Sequence, residues 1–321
     1  MVKGILSVLF LLLSVQLCWA QFNFKLGHIA EPENPYGQGA VYFAKLVHER
    51  TNGEVTIEVY PSSQLGNQRQ LVDKLSNGTL DLTLTGTAVL GNFVPEVSVF
   101  DLPFLFRDRA HAYKILDTLG MEVCAIGENK GMITLAIWEN GLRHFTNNRR
   151  PIVVPEDMRG LTFRVMEQPI YIEMMKSLGA TPISMSLKDL YEALQSNIVD
   201  GQENPLAHIA TKKFYEVQKY LSLSAHTYAA EVLLISKEAW NKLNREQQKI
   251  VREVACEVRD WQRELCQKKE AEYLAIIRAS GKCEINENVD RKSFSEVTHK
   301  VWQIYTKKYG DKWLRAVLAS D

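Results

Sequence analysis

The 321-residue sequence predicts an α/β protein of two similar lobes with a long helix spanning both. Two patterns carry that expectation. A strand–helix–strand–helix–strand order, the signature of a layer built on a parallel sheet, occurs near the beginning of the chain and again in its middle. The last third is mainly helical, and from Arg245 to Ser280 its apolar residues keep helical period.

In order, the chain opens with Lys3 and an apolar stretch from Ile5 to Leu17, too short to span a bilayer comfortably. With Cys18-Trp19-Ala20 behind it, this reads as a secretory leader at 1–20, cleaved after Ala20; a lipid anchor on Cys18 is the alternative, ill matched by Gln16-Leu17. Phe22 to Gly27 alternates as a strand. A polar loop, His28 to Pro35, leads to an amphipathic helix from Tyr36 to Thr51 with Val41, Ala44, Leu46 and Val47 inward, stopped by Asn52-Gly53. Val55 to Tyr60 is a strand, Gln68 to Leu75 a helix and Leu80 to Leu84 a strand. Ile133 to Ile137 is a further strand, and the polar run within Leu142 to Pro155 suits a crossover between lobes. The second layer reads as strand Leu161 to Val165, helix Ile170 to Leu178, strand Ala180 to Ile183, helix Leu187 to Gln195 and strand Ile198 to Gln202. Asn244 with Gln247 makes a capping box for the long helix, about 50 Å if unbroken. Two helices with a break at Gln267 to Glu270 is the alternative.

Without the leader, 37 basic residues face 38 acidic ones, a balance that speaks for neither a nucleic-acid nor a membrane-surface partner. Cys124, Cys256, Cys266 and Cys283 form no CxxC and have no histidine at metal-ligand spacing, so neither a metal nor a disulfide is called for. Cys256 and Cys266 lie about 15 Å apart along one helix and cannot pair. No GxSxG, HExxH, P-loop or GxGxxG is present, which leaves catalysis and a nucleotide cofactor without a motif.

Open α/β sheets bind ligands beyond the carboxyl ends of their strands. The residues placed there are His28, Glu31 and Asn34; Thr85-Gly86-Thr87-Ala88; Trp138 to Arg143; Arg164; and Gln202-Glu203-Asn204 before Pro205. Arg164, inside an apolar strand, must either emerge at the strand end or find a charged partner. Its planar fork of donors suits a ligand carboxylate, and an internal pair with Glu167 or Glu203 suits it equally. Arg143 has the same two readings, or lies on the surface. Asn204 either caps a helix begun by Pro205 or faces a ligand. His226, near Tyr228, is the histidine best placed by a cleft, although a structural role fits it too.

Several longer motifs stand in one order: Pro61 to Gly66, Asp101-Leu102-Pro103-Phe104-Leu105-Phe106, Leu161 to Val165, Val199 to Pro205 and Lys213 to Tyr220. Together they resemble the substrate-binding receptors of TRAP transporters, the DctP-type family, over nearly the whole chain beyond the leader. The resemblance implies a two-lobed periplasmic-binding-protein-like fold with hinge segments, lobe I over 21–142 and about 228–268, lobe II over 143–227 and about 269–321. It implies a monomer in the periplasm, with no catalysis and no cofactor, that hands a small organic acid to small and large membrane subunits. It implies that Arg164 pairs with the ligand carboxylate, that Arg143 is a second ligand arginine and that Asn204 hydrogen-bonds the ligand. Met166, Tyr171, Leu187 and His226 fall at variable positions that shape the pocket, and Gln202, Glu31, His28 and Thr87 complete the expected binding set.

Sialate receptors of this family carry an acid and an arginine in the loop where this chain has uncharged Thr85 to Val89, which argues against sialate. Trp138 to Arg143 resembles receptors for sugar acids such as a uronate or keto-gulonate. A C4-dicarboxylate is the second choice of ligand. A periplasmic sugar-acid enzyme or a ligand sensor is the reading from another class.

Overall fold

The computed structural model describes residues 21–320. The expected leader, with Lys3, Cys18 and cleavage after Ala20, lies outside the described residues. The strands are β1 (Phe22–Gly27), β2 (Val55–Tyr60), β3 (Leu82–Gly86), β4 (Met132–Asn147), β5 (Thr162–Val165), β6 (Thr181–Ser184), β7 (Gly201–Pro205), β8 (Tyr220–Ser236) and β9 (Glu284–Asn286). They join in the order β2-β1-β3-β8-β4-β7-β5-β6, with β9 beside β8.

Two parallel sets sit at opposite ends of this sheet. β1 pairs in parallel with β2 and β3, and β5 with β6 and β7. Between them β4 and β8 run antiparallel to each other, β8 closing onto β3 and β4 onto β7. At 16 and 17 residues these two strands are each about 55 Å long and belong to both lobes. They form the crossing, so the polar run after Leu142 is strand as far as Asn147 rather than a loop between lobes. Continuous pairing over such a length needs relief, and register shifts at Thr134/Ala136, Glu139/Gly141 and Arg143/Phe145 supply it. Gly141 takes φ +125°, which a side chain would resist.

The helix Arg245–Ser280 is unbroken. Asn244 and Gln247 cap it reciprocally at 2.9 and 3.0 Å, and Gly281 ends it at φ +64°. The stretch Gln267 to Glu270 stays helical because its polar side chains have partners across the helix: Gln267 donates to the Tyr113 hydroxyl, and Glu270 takes two bonds from Arg109 at 2.8 Å. Val251, Val254 and Val258 pack with Phe24, Leu26 and Phe43 in one lobe. Tyr273 and Ile277 of the same helix pack with Leu194, Ile209 and Phe214 in the other. One rigid element thus contributes to two cores.

Three local expectations are corrected. In the helix Pro35–Arg50 the buried stripe is Tyr36, Ala40, Phe43, Ala44 and Val47, and Val41, one step off it, is 57% exposed. That helix approaches β4 closely at Gly39, where a Cβ would stand 2.9 Å from the Trp138 ring. The strand expected at Ile198 to Gln202 begins three residues later, with Ile198 exposed in the preceding turn. Asn204 therefore lies inside β7 and does not cap the helix Leu206–Thr211, whose N-cap is Pro205. All four cysteines of the described residues are free.

Candidate functional site

The carboxyl ends of β3, β5 and β7 converge on one pocket between the lobes, with about 400 Å³ of atom-free space, part of it open to solvent. Arg143, Arg164, Asn204, Thr87, Met166, Tyr171 and Leu187 line it, as the sequence places them. A wider recess of about 870 Å³ lies beside it, shares Arg164, Met166 and Leu187, and is lined also by Arg69 and Glu167. These two make a 3.5 Å ion pair, and Asn92 donates to the Glu167 carbonyl at 2.8 Å.

The two arginines differ in what holds them. Arg143, on β4, meets β7 at Pro205 and is 2% exposed. Its Nε and Nη2 grip both carboxylate oxygens of Glu203, and Nη2 also donates to the Glu203 carbonyl and to Asn204 Oδ1. Its guanidinium lies over the Tyr171 ring at 5.4 Å. Burial pushes the Glu203 carboxyl up, but Arg143 and the His226 hydrogen bond outweigh it and hold Glu203 below the usual carboxylate range. Arg143 is a neutralised cation with Nη1 uncommitted.

Arg164, on β5 and 3% exposed, donates only from Nε, to the Met185 carbonyl at 2.9 Å, and pairs with no carboxylate among the described residues. Of the two internal partners considered, Glu203 is taken by Arg143 and Glu167 by Arg69. Desolvation, with Arg143 nearby, pulls the Arg164 guanidinium down to about 10, against the longer-range pull of Glu203. A buried cation of this kind is a binding point for an anion.

The facing wall is built from acids and amides. Thr87 donates to Asp101 Oδ1 at 2.8 Å, and Asp101 Oδ2 is buried with no well-formed bond, although the Tyr171 hydroxyl also acts on this carboxyl. Asn140 donates from Nδ2 to Glu231 at 3.1 Å, which leaves its Oδ1 buried and unpaired. Burial pushes Asp101 up to about 7, although Thr87 and Arg143 pull it down, and pushes Glu231 up to about 8.

Four expected residues do not line this pocket. His28 is buried against Tyr36, ring centroids 5.8 Å apart, with neither nitrogen bonded. Glu31 pairs with Lys212 at 2.7 Å. Gln202 stands behind Asn204, accepting from its amide and donating to Thr146. His226 stacks on Phe145 at 4.0 Å, reaches Glu203 from behind and borders a separate groove near Phe104 and Arg291. Asp101, Gln68 and His208 do line the pocket and were missed. Asp101 stood in a recognised motif, yet nothing in the sequence marks a short 3-10 turn as the place where an acid is buried.

These groups set a pH optimum for folding. Burial lowers His28 to about 4 and His144 to about 3, and lowers His208 and His226 as well. Below about pH 6.5 the unfolded chain binds protons on these four that the native protein does not, so stability rises with pH from 4 to 6.5. Asp101 and Glu231 act oppositely: the native protein keeps protons that the unfolded chain releases above about pH 4, so stability falls as pH rises to 7–8. With His111, which burial lowers too, and Glu139, which burial raises, five histidines outweigh three carboxyls below pH 6.5, and the carboxyls act without them above it. The melting temperature of the ligand-free protein should peak near pH 6.5 and decline by pH 8, as a calorimetric series would read.

The model of the family described as "Bacterial extracellular solute-binding protein, family 7" (DctP) matches residues 26–308. The 2,3-diketo-L-gulonate-binding periplasmic protein YiaO of Escherichia coli K12 is 36% identical over 275 residues, 85% of this chain and 84% of that one. A TRAP periplasmic solute-binding protein from Polaromonas sp. JS666, bound to D-erythronate, superposes with a TM-score of 0.90 at 36% identity, over 93% of this chain and 99% of that one. Another from Sulfurospirillum deleyianum, with bound succinate, has a TM-score of 0.89 at 33% identity, over 94% and 100%. With its two-lobed sheet, its interlobe pocket and these likenesses, the chain belongs to the DctP family of bacterial extracellular solute-binding proteins, the receptors of TRAP transporters.

Proposed function

We propose that this protein is the receptor of a TRAP transporter for a small sugar acid, held by its carboxylate on Arg164. The observation that carries the reading is the buried guanidinium of Arg164 in a pocket between lobes, with no carboxylate partner among the described residues. An incoming carboxylate forms the bidentate pair that the guanidinium lacks, and water exclusion strengthens it. Arg143 offers its remaining nitrogen, and Asn204, oriented by Gln202 and Arg143, borders the ligand. Lobe I (21–142 and about 228–268) and lobe II (143–227 and about 269–321) close about the hinge strands β4 and β8. The pairs Arg69–Glu167 and Glu31–Lys212 bridge the two lobes, the first of them exposed and weak. The loaded receptor delivers the acid to the membrane subunits. Its relatives are periplasmic receptors rather than enzymes, and among the described residues no helix is long and apolar enough to cross a membrane.

The preference for a sugar acid over a C4-dicarboxylate rests on the 36% identity to the diketogulonate-binding and erythronate-bound relatives and on the resemblance of Trp138 to Arg143 to receptors for sugar acids. Thermal unfolding of the ligand-free protein against uronates, aldonates, keto-gulonates, dicarboxylates and amino acids tests it. A ligand at a hundred times its Kd adds about 2.7 kcal/mol, a shift of several degrees. The expected result is such a shift with one or a few sugar acids. No shift with any carboxylate would overturn the reading.

A further inference from the structure

We infer that Asp101 and Asn140 form an acceptor wall that admits ligand hydroxyls and turns away a second carboxylate, so that these two residues select hydroxylated monoacids over dicarboxylates. The inference rests on the reading of the site as an organic-acid receptor anchored on Arg164 and adds the residues that choose among such acids.

Both residues line the pocket, and both present a buried oxygen with no well-formed hydrogen bond: Asp101 Oδ2 and Asn140 Oδ1. Neighbours fix these orientations. The Thr87 hydroxyl occupies Asp101 Oδ1 at 2.8 Å, so Oδ2 is the free oxygen. Glu231, 0% exposed, accepts from Asn140 Nδ2 at 3.1 Å, which commits the amide nitrogen and leaves Oδ1 as the free oxygen. Gln68, also on the pocket wall, donates toward the same Glu231 from the other side at 3.5 Å. Buried acceptors without partners are costly, and a ligand that brings O–H donors satisfies them.

Charge divides the pocket in the same sense. Of its two cations, Arg143 is already neutralised by Glu203 and Arg164 stands on β5, whereas Thr87, Asp101, Asn140 and Gln68 bring no Lys or Arg to the lining. A second ligand carboxylate pointing that way would meet the Asp101 carboxylate, acceptor against acceptor and charge against like charge. A terminal hydroxymethyl or secondary hydroxyl meets acceptors that fit it.

The test is isothermal calorimetry on the full mature protein at pH 7.5, with D-erythronate, galacturonate and glucuronate as hydroxylated monoacids and succinate and fumarate as dicarboxylates. Parent, Asp101→Asn and Arg164→Ala are compared, and each melting curve confirms folding. Asp101→Asn keeps the shape and the Thr87 bond while turning the free acceptor into a donor. The parent should prefer its best monoacid over the best dicarboxylate by at least about a hundredfold. Asp101→Asn should weaken that monoacid about tenfold and strengthen succinate, narrowing the ratio by at least about thirtyfold. A parent that prefers a dicarboxylate, or an Asp101→Asn ratio within about threefold of the parent's, overturns the acceptor wall while leaving the receptor reading intact. If no acid binds the parent, or Arg164→Ala binds as the parent does, the receptor reading itself fails and takes the wall with it. An Asp101→Asn protein that does not fold hands the decision to Asn140→Leu, which should lose monoacid affinity without loss of succinate affinity.

Discussion

Replacing Arg164 with alanine is expected to weaken binding of the preferred acid at least about a hundredfold while leaving the empty protein no less stable than its parent. The two halves of this result have one cause. Arg164 is 3% exposed and its guanidinium makes a single bond, to the Met185 carbonyl. Its charge is therefore paid for in desolvation and not returned by any internal ion pair. A ligand carboxylate supplies the missing partner, and removal of one member of a buried, hydrogen-bonded ion pair costs about 3–5 kcal/mol. In the empty protein the same substitution removes an uncompensated charge, and Arg164→Met, which keeps most of the volume, should raise the melting temperature. Calorimetric Kd values and ligand-free melting curves read both. Affinity within tenfold of the parent, or an empty variant that melts many degrees lower, would show that Arg164 is a structural residue.

Much of this site could be seen in the sequence because it sits where strands end, and strand ends are local events. Gly27, Gly86 and Val165 close β1, β3 and β5, and each is announced by an apolar run giving way to polar or small residues; the apolar Ile198-Val199 only precedes β7, which is itself polar. The central strands were harder. β4 passes through Glu139, Asn140, Arg143 and His144, all buried, so the usual polar signal for leaving a sheet is false there. Those polar groups are tolerated because other chain segments pair them: Gln262 bonds the backbone of Glu139, Glu231 bonds Asn140 and Glu203 bonds Arg143. The apolar run Val232 to Ile235 belongs to β8, whose other half, from Tyr220, continues through a bulge facing Arg143 to Phe145. Residue spacing cannot express such long-range pairing, and this is also why it could not say which arginine is neutralised. His28, Glu31, Gln202 and His226 were placed near the right strand ends, but one step along or behind the wall, where a turn of the side chain decides between pocket and core.

Glu203 is where that distinction has its largest effect on stability. Glu203 and Arg143 are 0% and 2% exposed, and the carboxylate also receives His226. Glu203→Gln keeps the shape but strips the charge that balances Arg143, leaving two unpaired buried guanidinium groups, Arg143 and Arg164, beside one pocket. The expected loss is about 3–5 kcal/mol, a fall in melting temperature on the order of 10 °C. The double variant Arg143→Met with Glu203→Met should recover most of it, since a buried pair replaced by apolar groups of similar volume is often neutral or better. Ligand dependence separates this pair from Arg164. Because Glu203→Gln frees Arg143 for the anion, added acid should stabilise the variant by more degrees than it does the parent, whereas in Arg164→Ala added acid should do little. If Glu203→Gln melts within about 1 kcal/mol of the parent, Arg143 is not held by Glu203 in solution, and both arginines would then have to be counted as ligand clamps.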